Sequence, residues 1–317
     1  MLTSMGKLDY QVLLYYKYVS IADPEKVRDE QRKLCSELNL KGRIIVAEEG
    51  INGTIEGLVP NTKKYMQAME KSKYFKGIHF KKSVGTGHAF PKLSVKAREE
   101  VVTAKLPDVD PTKVTGKYIS AEELHAWFES KKEFYIVDMR NDYEYISGHF
   151  EGFIPSGIHN FFDLPEVLPR LAYLKDKTIV TVCTGGIRCE KASGFLIVNG
   201  FNDVYQLQDG IQTYMEKFPN EHFKGKLYVF DNRLTIGFNT ADPKHEIVGS
   251  CMHCGKSCDS YVNCEYDICH YHYICCTDCR DQETGLAFCK AACKEKYLQY
   301  QKPREEKKAQ QSSASSI

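Results

Sequence analysis

Residues 10–20 (YQVLLYYKYVS) are an apolar, aromatic-rich run of the kind that forms a strand. Asp23 and Pro24 then supply an N-cap and a first helical residue, and Val27, Gln31, Leu34, Cys35 and Leu38 fall on one mostly apolar helical face. Two short strands, Arg43–Ala47 and Gly53–Glu56, are expected around Gly50, Asn52 and Gly53, which form either a substrate-facing turn or an ordinary hairpin turn. Thr62 to Tyr74 has helical spacing, with Tyr65, Met66 and Met69 as its stripe, and Gly77–Val84 returns to strand. Further on, Ser120 and Glu123 form a capping box for a helix bearing Leu124, Trp127 and Phe128. Phe134–Val137 is a strand, and Thr178–Cys183 is an almost unbroken apolar strand suited to a sheet covered on both faces. A helix over about Glu190 to Asn199 is stopped by Gly200, Asp203–Leu207 is another strand, and Asp209-Gly210 opens a turn and helix. From Phe218 the pattern changes, and Leu227–Phe230 with Leu234–Phe238 predict a hairpin around Asn232-Arg233.

These elements predict a multi-domain α/β chain. The order βαββαβ over 1–103 is that of a ferredoxin-like α+β domain. Pro107, Pro111 and several charges mark 104–117 as a linker. Strands alternating with helices over 118–222 predict a parallel α/β sheet. Residues 223–300 form a small Cys-rich domain, and 301–317, without apolar pattern, read as a disordered tail.

Charge is nearly balanced across the 317 residues, with 43 Lys+Arg against 42 Asp+Glu, which predicts no general affinity for polyanions. A nucleic-acid contact therefore needs a local patch. Residues 73–98 offer one: Lys73, Lys76, Lys81, Lys82, Lys92, Lys96 and Arg98 stand there with no acidic residue. Phe75, His79, Phe80, His88 and Phe90 are interleaved for base stacking, or are simply the core of a solvated strand. Met1 to Tyr16 lacks the pattern of a signal peptide, and no apolar run is long enough to span a bilayer, so a cytoplasmic protein without membrane contact is expected.

The chemistry concentrates in Val180-Thr181-Val182-Cys183-Thr184-Gly185-Gly186-Ile187-Arg188-Cys189, a strand, a two-glycine loop and a helix start. Glycines let backbone N–H groups converge on one point, and the helix N-terminus and Arg188 add positive charge there. Cys183 is thus expected to be a nucleophilic thiolate in an anion-binding loop made of Thr184, Gly185, Gly186 and Ile187. Cys189 is either a resolving thiol or, more often at such a position, a packed helix residue.

VDMRNDYEY, GHFEGFIPSGIHN, CTGGIR and VYQLQDGI together resemble the rhodanese family. Four residues separate Cys183 from Arg188, a rhodanese-sized loop that is one residue shorter than that of protein tyrosine phosphatases. Asp138 pairs with Arg140 or orients this loop. From Tyr10 to Cys293 the chain resembles a narrower family, the UPF0176-like rhodanese-domain tRNA uridine(34) hydroxylases, through GRIIVAEEGINGTIEG (42–57), HAFPKLSVKAREEVV (88–102), CTGGIRCEKA (183–192) and the Cys-rich tail. That resemblance implies oxygen-dependent 5-hydroxylation of the wobble uridine, molecular oxygen as co-substrate, Cys183 as the essential residue, and the anticodon loop of tRNA as partner. It implies an N-terminal domain that holds tRNA, with Lys81, Lys82, Lys92, Lys96 and Arg98 as candidates. No obligate protein partner is evident. No flavin, haem or nicotinamide motif is seen. The rival reading is a thiosulfate or persulfide sulfurtransferase with adaptor domains; a third is a binding module with a vestigial loop, against which the intact CTGGIR speaks.

Ten of the 13 cysteines crowd into Cys251–Cys293. Cys251, Cys254, Cys258, Cys264, Cys269, Cys276, Cys279, Cys289 and Cys293 are candidate metal ligands, and two CxxC pairs about two dozen residues apart predict structural zinc. Cys275, His253, His270 and His272 stand in reserve for a second site. Reduced or disulfide-paired thiols without metal and an iron–sulfur cluster are the alternatives.

Overall fold

The computed structural model describes residues 9–269 and 271–300; the expected disordered tail 301–317, and His270, lie outside the described residues. Alternation along β1 (Tyr10–Tyr18) sends Leu13 and Tyr15 into the core beneath two helices and Leu14 and Tyr16 to the opposite face. Asp23 accepts from the Lys26 N–H and Pro24 opens α1 (Pro24–Glu37), which buries Val27, Gln31 and Cys35. The chain continues through β2 (Lys41–Ala47), β3 (Gly50–Leu58), α2 (Val59–Lys71), β4 (Phe80–Val84) and β5 (Leu93–Ala97). The sheet order β4-β1-β3-β2-β5 contains the expected ferredoxin-like arrangement, and β5 adds a strand parallel to β2. Sequence reading missed β5 because in Leu93-Ser94-Val95-Lys96-Ala97 just one side chain, Val95, is buried. It also misplaced the hairpin turn. Asn52 and Gly53 lie inside β3, and Gly53 is bare because a Cβ there would meet the Tyr15 ring at 2.4 Å.

The central domain runs β6 (Lys117–Ile119), α3 (Ala121–Glu129), β7 (Tyr135–Asp138), α4 (Asp142–Tyr145), β8 (Gly148–Phe150), β9 (Ile154–Pro155), α5 (Leu168–Leu171), β10 (Thr178–Val182), α6 (Ile187–Val198), β11 (Asp203–Leu207) and α7 (Gly210–Lys217). Its main sheet is parallel with order β6-β11-β10-β7-β9. β10 sits at the centre, and Ile179 through Val182 are buried, which is why its sequence is so apolar. The stretch 104–117, expected as a linker, instead packs Ala104, Leu106 and Val109 into this domain's core.

The C-terminal part is tied to both others. β12 (Phe223–Gly225) pairs with β8, and β13 (Leu227–Tyr228) with β14 (Thr235–Ile236) makes a shorter hairpin than expected. In the loop of this hairpin, Asn232 N–H donates to Ala89 O at 2.9 Å and Arg233 donates to Ser83 Oγ at 2.9 Å, both acceptors lying in the N-terminal domain. β15 (Tyr261–Asn263) and β16 (His272–Ile274) form a last small hairpin, and residues 291–300 are helical.

Candidate active site

A parallel sheet delivers its loops at the carboxyl ends of its strands. Cys183 follows the last residue of β10 there, and Gly186, at φ 97°, turns the chain into α6. The Gly186 N–H donates to Cys183 Sγ at 3.2 Å. Burial pushes the Cys183 thiol up, but the Cys189 thiol, the Arg188 guanidinium and the Cys189 and Arg188 N–H groups outweigh it and bring the pKa down to about 6. Cys189 moves the other way. Burial and its donation to the Cys183 sulfur hold it protonated, well above an ordinary thiol.

Arg188 does not present a free charge to the loop, as the sequence suggested. Its guanidinium makes two bonds to buried Glu144, at 2.5 and 2.8 Å, and reaches Thr184 Oγ1 at 3.4 Å. Glu144 also accepts from the Asn141 N–H, so one carboxylate caps α4 and anchors α6. Arg188 therefore shapes the loop and lowers the thiol by its field, with its guanidinium bonded to Glu144 and Thr184. Beside it, Asp138 and Arg140 form a fully buried ion pair at 2.6 Å.

The site is covered. Cys183 has no exposed surface, and the sheet face bearing Leu14 and Tyr16 lies on the loop. A Cβ on Gly185 would come 2.8 Å from Leu14, and one on Gly186 2.9 Å from the Tyr16 hydroxyl, so both glycines permit this close approach. Tyr16 Oη donates to Glu190 at 3.0 Å, and Glu190 also accepts from Tyr118, Thr115 and Gln206. The next residue, Lys191, is buried and pairs with Glu49 and Glu100, each at 2.9 Å. These contacts join the separate stretches that carry the family resemblance.

An open cavity of about 410 Å³ borders the cover and is lined by Tyr16, Tyr18, His79, Lys81, Glu190 and Asp209. Lys81, expected on a phosphate-tracking surface, is buried instead. Its ammonium lies 3.4 Å from Asp209 and 4.9 Å from the Tyr16 ring centre. Desolvation lowers its pKa, against the pull of Asp209. Lys82, Lys92, Lys96 and Arg98 are exposed, but Lys82 pairs with Leu13 and so points to the helix side. The register places Lys96 beside Ile45, on the face of Tyr16, and Arg43 beside Thr54 on that face. Of the aromatics proposed for stacking, Phe75 and Phe90 are core and Phe80 packs on Tyr15 and Tyr65; His79 and His88 are exposed.

Eight of the nine candidate metal cysteines gather in two groups, Cys251, Cys254, Cys276, Cys279 and Cys264, Cys269, Cys289, Cys293, with the four sulfurs of each within 4.8 Å of one another. Cys258 belongs to neither, and its sulfur accepts from the Ser260 N–H. Cys275, His253 and His272 also stand outside them. Contacts of 3.6 to 3.7 Å are far too long for disulfides and suit a tetrahedral ion, whose thiolates sit roughly 3.8 Å apart.

Sequence reading gave no site role to Tyr16, Glu190 or Arg43, and it singled out Glu144 within VDMRNDYEY without a partner. A signal for Tyr16 existed, since Leu13-Leu14-Tyr15-Tyr16 is apolar on both faces and a strand covered on one face alternates. Glu144 stands three residues after Asn141, the spacing of a capping box.

Comparison with known proteins agrees with this division. Residues 10–101 match the UPF0176 acylphosphatase like domain, 120–217 the Rhodanese-like domain and 224–294 the Rhodanase C-terminal family. The chain is 42% identical to the tRNA uridine(34) hydroxylase of Cytophaga hutchinsonii, over 90% of each chain. It is 45% identical to that of Bacillus licheniformis, over 85% of this chain and 84% of the relative. A solved rhodanese-like domain protein from Staphylococcus aureus is 26% identical over 31% of this chain and 90% of its own, with TM-score 0.27. Among the described residues no helix is long and apolar enough to cross a membrane.

Proposed function

Since the chain belongs to the tRNA uridine(34) hydroxylase family, at 42 to 45% identity over most of its length, we propose that it places a hydroxyl on C5 of the wobble uridine of tRNA, with Cys183 as nucleophile and molecular oxygen as co-substrate. The observation that carries this reading is the Cys183 sulfur itself, at the carboxyl end of the central parallel strand, where it accepts from the Gly186 N–H at 3.2 Å and its pKa is brought down to about 6. A thiolate adds to C6 of a uracil ring and pushes electron density onto C5, the carbon that must meet oxygen. The loop amides hold the charge before the attack and receive it again when the sulfur leaves. Arg188, bound to Glu144, keeps those amides aimed at the sulfur.

The uridine reaches the sulfur only when the face bearing Leu14 and Tyr16 lifts from Gly185 and Gly186. A flipped base fits such a site, and the cost of extrusion is small in an anticodon loop that is already single-stranded. Arg43, Lys92, Lys96 and Arg98 are exposed cations of the domain that would lift, and they are suited to the tRNA backbone. The two four-cysteine groups would hold zinc, which would fold a segment too small to bury its own core. A tRNA substrate and a crowd of unpaired thiols both suit the cytoplasm.

The test is nucleoside mass spectrometry of tRNA from cells lacking this chain, complemented with wild type or Cys183→Ser. Loss of 5-hydroxyuridine derivatives, restored only by wild type, is expected. Undiminished hydroxylation by Cys183→Ser removes the mechanism, and loss of a thiolated base instead makes the chain a sulfurtransferase.

A further inference from the structure

A lysine ammonium is rarely buried without a close partner. Lys81 is 3% exposed, yet its ammonium stands 3.4 Å from Asp209 Oδ1, and the exposed His79 imidazole reaches the same oxygen at 2.7 Å. Burial works against the charge on both Lys81 and Asp209. The two come from different domains, Lys81 from β4 opposite Leu14 and Asp209 from the turn that opens α7. That turn is bonded to the Cys183 loop: the Ile211 N–H donates to Cys183 O at 2.9 Å and the Gln212 N–H to Thr184 O at 3.1 Å. His79, Lys81, Gln208 and Asp209 line both of two open cavities of about 410 Å³ each, so the pair stands in the partition between them. We propose that Lys81 and Asp209 read the Watson–Crick edge of the wobble uracil, Lys81 donating to O4 and Asp209 accepting from the N3–H.

The inference rests on the hydroxylase reading and names what selects its base. Lifting the N-terminal sheet from the Cys183 loop separates the pair, because Lys81 moves with the sheet and Asp209 stays with the loop. Each then needs a new partner, since an unpaired charge in a desolvated site is strongly disfavoured. Uracil supplies both at once, with a carbonyl acceptor next to an N–H donor. Phosphate does not, because Asp209 repels it from beside Lys81. Cytosine inverts the pattern. Its N4 amino group would face the ammonium and its N3 lone pair the carboxylate, so both contacts turn repulsive. Guanine presents the uracil pattern but lacks the pyrimidine C6 at which Cys183 adds.

The same contact assists the chemistry. When the Cys183 thiolate bonds to C6, the C5=C6 pair moves between C4 and C5 and the carbonyl pair moves onto O4. A full negative charge then forms where Lys81 donates. Tyr16, Tyr18 and Tyr118 line the cavity beside Glu190 and offer ring faces on which the base can stack.

The experiment compares tRNAs that carry uridine, N3-methyluridine or cytidine at the wobble position and are otherwise identical. Affinity is read by filter binding to full-length Cys183→Ser protein, which cannot bond to the ring, alone and combined with Asp209→Ala or Lys81→Met. N3-methyluridine has lost the donor and is expected to bind about 10- to 100-fold more weakly than uridine, the range for a hydrogen bond to a charged group. Asp209→Ala should abolish that penalty, and Lys81→Met should shrink the penalty against cytidine by a similar factor. A merely structural role lowers the binding of all three tRNAs together and leaves their ratios in place. Ratios that both variants leave unchanged therefore overturn the inference. So does equal affinity for the three tRNAs with both residues intact, a result that stands even if the variants fail to fold. Wild-type protein in air, read by nucleoside mass spectrometry, separates the two proposals. If it leaves the uridine tRNA unmodified while the ratios shift as expected, the hydroxylase reading fails and uracil recognition stands. If it hydroxylates uridine and the ratios are flat, only the recognition fails.

Discussion

The Tyr16 hydroxyl donates to Glu190 at 3.0 Å, joining the outer face of the N-terminal sheet to the helix that begins at the Cys183 loop. Glu190 is buried and takes three further donors, from Tyr118, Thr115 and Gln206. Removing one donor to a buried carboxylate costs about 1.5 to 3 kcal/mol. Tyr16→Ala removes both the donor and the ring that lies on Gly186. The expected outcome is faster alkylation of Cys183 by iodoacetamide at pH 7, by about tenfold for each ~1.4 kcal/mol of closure lost. An unchanged alkylation rate, read by peptide mass spectrometry, would mean that Tyr16 does not cover the site.

Cys183 should react as an acidic thiol. Its alkylation rate is expected to rise with a midpoint near pH 6 rather than near the ordinary 9.0. The same shift enters stability. Because the folded value is depressed, the ionised sulfur contributes stability that is complete above pH 9 and is lost as pH falls through about 6. In Cys183→Ser this part of the pH dependence of Tm should vanish, while the carboxylate-driven loss at lower pH remains.

Glu144 and Arg188 form a buried pair, so removing one partner strands the other. Glu144→Gln and Arg188→Met are each expected to cost about 3 to 5 kcal/mol, whereas the double variant with Glu144→Met recovers much of that stability. The recovered protein should still have a less acidic Cys183, since the Arg188 field is gone. Differential scanning calorimetry and the alkylation profile check the two halves, and a double variant whose thiol is as acidic as wild type would show that the amides alone suffice.

The geometry of the Cys183 loop was legible in the sequence because it is local. Two glycines between a strand and a helix dictate where amides point, whatever surrounds them. The long-range contacts were not. That Arg188 would be claimed by Glu144, 44 residues earlier, is a property of how β7 and β10 pair, and no spacing encodes it. Lys81 looked like its neighbours in an acid-free run, yet its register opposite Leu14 turns it inward to Asp209, while Lys82 turns outward. The fold followed the same rule. β1 and β10 announced themselves by apolar runs, and β5 hid because its neighbour β2 and helix α1 cover only one of its side chains well.

Metal content should separate the cysteines by position. The two groups predict about two zinc ions per chain, each held by four thiolates. Cys254→Ser and Cys289→Ser each break one tetrahedron and are expected to lower the zinc content by one ion. Cys258→Ser should keep both, because its sulfur lies outside both groups. The hairpin at Asn232 and Arg233 bonds to the N-terminal domain, so damage in the cysteine segment should reach the cover over Cys183 through β13 and β14. Chelation of the wild-type protein is therefore expected to speed Cys183 alkylation as well as to unfold residues 249–295. Elemental analysis with hydrogen exchange on the same samples decides it. Full zinc content in Cys254→Ser, or an unaltered Cys183 after complete metal removal, would break the connection between the metal segment and the loop.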